Sequence, residues 1–267
     1  MRAATTAHYD GRMAESFLGR PLWYELLTTD MKAAEAFYTT VVGWTTMATQ
    51  GAHGPYTIFK NAAGDQVSGV MTRPPGLTMP PHWVMYVGVP KLEDAVSRIE
   101  QSGGSAMSPV VDIPNIGRMR AMHDPQGARF EVYEPVAPPP RPETPPGEGD
   151  IAWHELYAND VDAAMKFYFD LFGWRATEPA FDMGAIGKYH MFGRSFTLGG
   201  MMNKQPQMPA PYWGFYFRVR DVNAGADRIK AAGGQILNGP MEVPGGDRIV
   251  QCTDPQGALF SLHQIKV

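Results

Sequence analysis

The order of hydrophobic and polar positions near the start of the chain predicts a strand followed by a helix. Residues 22–28 alternate as a strand does. Apolar residues then recur every four positions, which predicts one face of a helix, at Ala33, Phe37 and Val41. Asp30 is the expected N-cap of this helix, and Gly43 follows where a left-handed residue commonly ends one.

Short strands and a second, similar unit complete the first half of the chain. Residues 57–60 and 68–71 read as strands between glycines and prolines. A strand at 83–89, a helix at 92–102 and a last strand at 128–133 then repeat the order. The pattern therefore predicts two βαβββ units. We expect them to pair edge to edge as a cupped mixed sheet, with helices outside and a cavity inside.

Motifs of the first half recur 130 residues later, so the chain is a tandem repeat. The recurring segments are 19–26 and 149–156, 33–44 and 163–174, and 124–128 and 254–258. The fold class is accordingly α+β, with two tandem domains. We predict an N-terminal arm over residues 1–18, domains over 19–134 and 150–267, and a linker over 135–149. The linker is rich in proline, which favours a semi-rigid spacer.

Composition narrows the classes of function. The 267 residues carry a formal net charge of −4, which gives no basic surface for nucleic acid or anionic membranes. The single cysteine, Cys252, rules out an internal disulfide and favours a reducing compartment. No 18-residue apolar stretch is present. We expect a cytoplasmic protein, monomeric or homodimeric, whose partner is a small molecule and neither nucleic acid nor a membrane.

These motifs resemble a known family. The strand, the Asp, the A-A-x-x-F-Y helix and its closing G-W are similar to the first unit of the vicinal oxygen chelate superfamily. That superfamily includes glyoxalases, bleomycin resistance proteins and extradiol dioxygenases. The segment D-P-Q-G-A-x-F-E, which ends at Glu131, resembles the last strand of its second unit. The resemblance implies a glyoxalase-like domain in each half of the chain.

The resemblance also implies three positions for ligands of a divalent metal, usually two histidines and a glutamate. Those positions fall at Trp23, Val84 and Glu131 in the first domain, and at Trp153, Gly214 and Ser261 in the second. Indole, valine and glycine offer no side-chain ligand, so we predict no metal cofactor. The alternative is a site for Fe, Mn, Zn or Ni that uses His154, one residue from the position at Trp153, or His82, which is next to Trp83. A shift of one residue would turn every side chain of the strand to the other face.

Polar and aromatic residues do repeat at the expected cup positions. Trp23 and Glu25 share a strand face, as do Trp153 and Glu155. The other candidate ligand-binding residues are Tyr86, Arg118, Glu131, Tyr216 and Arg248. A carboxylate in an aromatic cup should bind a ligand or act as a base, with Arg248 or a tyrosine hydroxyl as its donor. A glutamate paired with a neighbouring arginine, or on a solvated edge, is the competing interpretation.

Two functions are consistent with these residues. The first is binding of a small organic molecule in aromatic, Glu-containing cups without the superfamily's metal triad. The second is a glyoxalase-like lyase, isomerase or dioxygenase-type enzyme in which Glu25 or Glu155 is the general base, with a divalent metal as a possible cofactor.

Overall fold

The computed structural model describes residues 17–52, 54–74, 76, 78–137 and 143–266. Most of the arm predicted over residues 1–18 and part of the proline-rich linker therefore lie outside the described residues. The first domain contains β1 (Pro21–Thr28), α1 (Met31–Val42), β2 (Thr45–Gly51), β3 (Gly54–Lys60), β4 (Gln66–Thr72), β5 (His82–Gly88), α2 (Leu92–Gln101), β6 (Ser105–Ala106), β7 (Val111–Ile113), β8 (Gly117–His123) and β9 (Arg129–Pro135).

The second domain repeats this order, with one more strand after its first helix and one fewer after its second. It contains β10 (Ile151–Ala158), α3 (Val161–Phe172), β11 (Arg175–Ala176), β12 (Phe181–Asp182), β13 (Lys188–Gly193), β14 (Thr197–Asn203), β15 (Tyr212–Arg218), α4 (Val222–Ala231), β16 (Gln235–Glu242), β17 (Arg248–Thr253) and β18 (Leu259–Gln264). A short 3-10 turn, Gly184–Ile186, precedes β13.

Each domain forms one curled mixed sheet from its two units. The strand order is β2-β3-β4-β1-β5-β9-β8-β6 in the first sheet and β11-β13-β14-β10-β15-β18-β17-β16 in the second. In both sheets the two units join where their first strands pair antiparallel, β1 with β5 and β10 with β15. The tandem α+β fold predicted from the sequence is confirmed.

The predicted ends of the first helix match the structure. The Asp30 side chain accepts a hydrogen bond from the Ala33 backbone N–H, which satisfies a donor that the first turn leaves free. Gly43 follows α1 with a φ of 85°, a left-handed conformation that favours glycine. Asp160 and Gly173 hold α3 in the same way. These caps fix where the chain leaves β1 and β10, the strands that carry the candidate glutamates.

The helices lie on the sheet face opposite the cup, and this face packs against the other domain. The Tyr38 ring of α1 contacts Phe59 and Trp83 of its own sheet and also Phe217 and Phe260 of the second domain. The hydrophobic core therefore runs through both domains without interruption. The helices are outside each cup, as predicted, and the helix-bearing faces of the two sheets also contact each other directly, through Trp83 of β5 and Phe217 of β15.

Reciprocal hydrogen bonds join the domains at repeated residues. The Tyr38 hydroxyl donates to Asp254 Oδ2 over 3.1 Å, and Tyr168 donates to Asp124 Oδ2 over 3.0 Å. Two tryptophan indoles donate across the interface in the same manner, Trp44 to the Gly149 carbonyl and Trp174 to the Gly19 carbonyl. Such an exchange between equivalent residues is the pattern of a twofold arrangement.

The repeated aspartates also shape their own turns. Asp124 Oδ1 accepts the backbone N–H groups of Gln126 and Ala128, and Asp254 Oδ1 does the same for Gln256 and Ala258. Burial raises the pKa of both aspartates, because few water molecules reach them. The F-Y, G-W and D-P-Q-G-A motifs thus build the domain interface, and the cups are built by other residues.

Candidate functional site

A hydrogen-bonded cluster of Trp, Tyr and Glu lies in the N-terminal cup. Trp23 and Glu25 point away from the helices on β1, and Tyr86 lies directly opposite Trp23 on β5. The Tyr86 hydroxyl donates to Glu25 Oε2 over 2.8 Å, and the Tyr56 hydroxyl also hydrogen-bonds Glu25. The Trp23 indole in turn donates to the Tyr56 oxygen over 2.8 Å. Glu25 is 8% exposed, so its hydrogen bonds form in a largely dry environment.

The C-terminal cup contains the same cluster with one more tyrosine. Glu155 Oε1 accepts from Tyr189 over 2.8 Å, and its Oε2 accepts from both Tyr157 and Tyr216. The Trp153 indole donates to the Tyr189 oxygen over 2.8 Å. Glu155 is 7% exposed. The expectation that a tyrosine hydroxyl would bind these glutamates matches both cups.

Glycines on the neighbouring strands make room for two of these tyrosines. Glu25 pairs in register with Gly69, and Glu155 pairs with Gly200. A Cβ atom at Gly69 would stand 1.8 Å from the Tyr56 hydroxyl, and one at Gly200 would stand 2.0 Å from Tyr189 Cζ. Only a residue without a side chain lets each ring lie across the strand and reach its glutamate.

All hydrogen bonds of the C-terminal cluster run towards the carboxylate. Gln251 Nε2 donates to the oxygens of Tyr157 and Tyr216, each over 3.0 Å, and these hydroxyls donate onward to Glu155. Acceptance from three hydroxyls is the behaviour of an ionised carboxylate, and hydrogen bonds to a charged group are stronger than neutral ones. Burial raises the pKa of Tyr189 and Tyr216 far above the usual range, so both phenols keep their protons.

A buried ion pair distinguishes the N-terminal cup. Glu131 lies in register with Tyr86 and is 1% exposed, and its Oε1 accepts from Arg129 Nη2 over 2.8 Å. Burial raises the pKa of Glu131 to about 7, although Arg129 opposes the shift. His82 donates from Nδ1 to the Pro80 carbonyl, so its Nε2 is free to accept from Arg129. Burial lowers the pKa of His82 to about 4, which keeps the ring neutral.

The second domain has no counterpart of this ion pair. At the repeat interval, Leu259, Ser261 and Tyr212 stand where the first domain has Arg129, Glu131 and His82. Tyr212 stacks on Tyr157 with ring centroids 4.9 Å apart. The two cups therefore share one cluster and differ in the residues around it.

Arg118 and Arg248, predicted as cup residues, lie on the opposite face of their strands. Arg118 pairs with Glu93 and Asp112, and Arg248 contacts Asn223 beside the start of α4. Side chains alternate between the two faces of a strand, so on β8 and β17 the residues that face the cup are those of the other alternating set. Gln251, which lies opposite Ser261, is one of them. The prediction was wrong in its strand parity. The arginine beside the N-terminal cup residues is Arg129.

The donor set at the superfamily's metal positions does not fit a divalent cation. In the first domain it consists of an indole that already donates to Tyr56, a valine, and a glutamate that binds Arg129. In the second it consists of Trp153, Gly214 and Ser261. Among the described residues, no three His, Cys, Asp or Glu side chains come together as a possible metal site.

The alternative based on His154 fails for a geometric reason. His154 lies on the helix side of β10, where its Nδ1 donates to the Leu198 carbonyl over 2.7 Å. Its Nε2 accepts from the hydroxyl of Tyr24, the equivalent residue of the first domain, over 2.5 Å. Burial lowers the pKa of His154 to about 4. The ring is thus a neutral part of the domain interface, with both nitrogens occupied. His82 is likewise occupied by Pro80 and Arg129.

Tyr56 and Tyr189 were not predicted from the sequence, because they are equivalent residues that do not stand at the repeat interval of 130. At an offset of 130, Tyr56 falls opposite Ile186 and Tyr189 opposite Phe59. The structure aligns Gly69 with Gly200 and Tyr56 with Tyr189, because small length changes between β2 and β4 shift the register. The sequence does contain a sign of this shift. The similar segments Ser68-Gly-Val-Met and Gly199-Gly-Met-Met are 131 residues apart instead of 130.

A cavity of about 670 Å³ lies at the junction of the domains, and Trp23 of the N-terminal cluster is among the residues that line it. Tyr24 and His154 line it together with Asp150 and residues that flank the linker, such as Glu143. None of the helices in the described residues is both long and apolar enough to cross a lipid bilayer.

Comparisons with known proteins agree with this architecture. The chain is 33% identical over 254 residues to "Putative glyoxylase CFP32" of Mycobacterium tuberculosis (strain CDC 1551 / Oshkosh), covering 91% of this chain and 94% of that one. It is 28% identical over 261 residues to the anthracycline biosynthesis protein DnrV of Streptomyces peucetius, covering 93% and 94%.

Solved structures show the same fold at lower identity. The Mn(II)-bound glyoxalase from Novosphingobium aromaticivorans superposes with a TM-score of 0.65 at 18% identity, covering 93% of this chain and 83% of that one. The 2,3-dioxygenase LapB from Pseudomonas sp. KL28 gives 0.65 at 13% identity, covering 95% and 94%. The model of the glyoxalase/bleomycin resistance protein/dioxygenase superfamily matches residues 20–132 and again residues 150–262. The chain belongs to this superfamily, with one of its domains in each half.

Proposed function

We propose that the protein binds a small organic molecule in its cups, at the Trp-Tyr-Glu cluster, and that binding needs no metal. The observation that carries this proposal is the buried glutamate bound by tyrosine hydroxyls at the same place in both cups. A dry carboxylate flanked by aromatic rings supplies one strong polar contact within an apolar lining. That combination orients organic ligands in protein pockets.

The hydrogen bonds favour binding over proton abstraction. A base that takes a proton from a carbon beside a carbonyl leaves an enolate, which a cation or a hydrogen-bond donor in the cup must stabilise. The hydroxyls around Glu155 already donate to its carboxylate, and Arg248, whose guanidinium could stabilise an enolate from within the cup, lies on the other sheet face. These features favour a receptor for the ligand over a catalyst of its isomerisation.

The name of one relative is consistent with an organic ligand of this kind. One relative takes its name from anthracycline biosynthesis, and it matches this chain along nearly its full length. An aromatic ligand would suit cups lined by Trp and Tyr.

The free thiol of Cys252 is buried, which is consistent with a cytoplasmic location as part of this proposal.

The second candidate is an enzyme of the glyoxalase-like lyase, isomerase or dioxygenase type. The relative whose name refers to a glyoxylase, at 33% identity, favours it. Glu25 or Glu155 would then move a proton with the help of the tyrosines that hydrogen-bond it. A steady turnover of an α-oxoaldehyde or a catechol that disappears in Glu25→Gln or Glu155→Gln would establish this candidate.

A library of planar aromatic compounds, screened by thermal shift, tests the proposal. Ligands should raise the melting temperature of the wild type without added metal and in the presence of a chelator. Glu25→Gln and Glu155→Gln should keep the fold, because the amide preserves shape, while one or both lose the ligand-induced shift. Compounds that stabilise the wild type and both Gln variants equally would show that the cups are not the site.

A further inference from the structure

We propose that the C-terminal cup binds an amphipathic organic cation, an amine with an apolar body, through Glu155. This inference rests on the proposed binding function and names the class of ligand for one of the two cups. It follows from the charge of the cluster, an unused acceptor position on the carboxylate, the glycine opposite it on the sheet and the apolar rim around it.

The charge of Glu155 is not neutralised by any described residue. Its hydrogen-bond donors are Tyr157, Tyr189 and Tyr216, all uncharged, and within the described ranges no Lys, Arg or His pairs with it. In the other cup, by contrast, the buried carboxylate of Glu131 has Arg129 at 2.8 Å. The C-terminal cup therefore keeps a negative charge in a site that is largely closed to water.

One acceptor position of the carboxylate remains open. An ionised carboxylate has about four lone-pair sites, two on each oxygen. Tyr157 and Tyr216 occupy Oε2, whereas among the described residues Tyr189 alone donates to Oε1. An N–H group of a ligand can therefore donate to Oε1 without displacing a tyrosine.

The residue opposite Glu155 on β15 is a glycine, Gly214, which has no side chain to cover the carboxylate. It is half-buried, and an added Cβ would make ordinary van der Waals contacts with its nearest neighbours, at 3.7 Å. The corresponding residue in the first domain is Val84, which is 1% exposed. The missing side chain leaves the carboxylate approachable from the cup.

The rim of this cup is apolar and exposed. Leu259 is 42% exposed at the position that Arg129 occupies in the other domain, and Phe181 is 41% exposed beside Tyr189. Two large exposed apolar side chains near a buried charge match a ligand with a cationic head and a hydrophobic body. Aromatic rings around the head attract a cation further, whereas an anion would be repelled by Glu155.

Three probes of matched shape test the inference: 2-naphthylmethylamine, 2-naphthalenemethanol and 2-naphthoate. They are titrated at neutral pH, and binding is followed by the NMR signal of the Trp153 indole N–H, which donates to Tyr189 within the cluster. The amine should bind about tenfold or more tightly than the alcohol, corresponding to ~1.4 kcal/mol, and the naphthoate should bind most weakly.

Variants connect this preference to the C-terminal cup. Glu155→Gln should weaken the amine about tenfold and leave the alcohol nearly unchanged. Leu259→Arg, which brings a cation to the exposed rim, should also weaken the amine. Glu25→Gln is the matched control in the other cup and should leave the titration at Trp153 as in the wild type.

Equal affinity for amine and alcohol, or a preference that survives Glu155→Gln, would overturn the inference. If the alcohol or the naphthoate binds best and shifts the Trp153 signal, the cup still binds organic molecules and only its selectivity for cations is wrong. If none of the three probes binds, the inference fails, and the wider screen described above decides the proposed function separately.

Discussion

Gly200→Ala should distort the C-terminal cluster although it adds only one methyl group. The new Cβ would stand 2.0 Å from Cζ and 2.1 Å from the hydroxyl oxygen of Tyr189, distances that no pair of atoms tolerates. Strand β14, which carries Gly200, is held in place by its backbone hydrogen bonds to β10, so the ring of Tyr189 must move. Its hydroxyl then leaves both Glu155 and the Trp153 indole.

The magnitude follows from the two hydrogen bonds that are lost. A bond to a charged carboxylate contributes ~1.5–3 kcal/mol, and the neutral one from Trp153 contributes ~1 kcal/mol. Replacing a strand glycine with alanine returns ~0.5–1 kcal/mol of backbone entropy. We expect the free energy of unfolding to fall by about 2 kcal/mol, which for a chain of this size lowers the melting temperature by roughly 4–8 °C.

The control is Gly214→Ala, on the strand that pairs with the other side of Glu155. A Cβ there meets nothing closer than 3.7 Å, so this variant should be neutral or slightly stabilising. Both variants are measured by urea denaturation. Gly200→Ala is then combined with Tyr189→Ala, which removes the clash, so the double variant should be no less stable than Tyr189→Ala alone.

Equal stability of the two glycine variants would refute this reasoning. So would a cost of Gly200→Ala that persists when Tyr189 is already alanine. Either result would mean that the ring does not lie across Gly200 and that the cluster is not held by the sheet in this manner.

Three further predictions concern the ion pair, the interface histidine and the metal. Arg129→Leu should cost about 3 kcal/mol in urea denaturation, because Glu131 is left buried without its cation. Arg129→Leu with Glu131→Ser, the residues of the second domain, should recover most of that loss, and a double variant no more stable than Arg129→Leu would contradict the argument. The pKa of His154 is lowered to about 4 in the folded protein, so the unfolded chain binds the additional proton and stability should fall as the pH drops from about 6.5 towards 4. Between pH 7 and pH 5 the wild type should lose about 2 kcal/mol more than His154→Gln, and parallel pH profiles would disprove this. Purified without added metal, the protein should contain well under one equivalent of Fe, Mn, Ni or Zn by elemental analysis, and a stoichiometric metal would reverse the interpretation of the donor set.

Local signals were sufficient to predict the fold. Asp30 and Gly43 mark the two ends of α1, and the alternation of β1 places Trp23 and Glu25 on one face, as the structure shows. These features depend only on residues close together in the chain. Their recurrence 130 residues later then established the second domain.

The composition of the site was harder to predict because it depends on register between distant strands. Tyr56 and Tyr189 reach the cups from β3 and β13, where loop lengths differ between the repeats. Arg118 and Arg248 repeat at a constant interval, but a strand turns alternate residues to opposite faces, and a repeat does not reveal which face is which. The Arg129–Glu131 pair has no counterpart in the second domain, so comparing the repeats could not have found it.

The tryptophan indole signals test the central claim most directly, since each cup contributes one and two others donate directly across the domain interface. Trp23 and Trp153 donate within the glutamate clusters, whereas Trp44 and Trp174 donate to the Gly149 and Gly19 carbonyls between the domains. When a ligand from the screen is titrated into protein with 15N-labelled tryptophan, we expect the signal of Trp23 or Trp153 to shift in a saturable manner while those of Trp44 and Trp174 stay in place. A saturable shift confined to Trp44 and Trp174, or to these two and Trp23, which also lines the junction cavity, would place the ligand at the domain junction and contradict the assignment of the cups as the binding site.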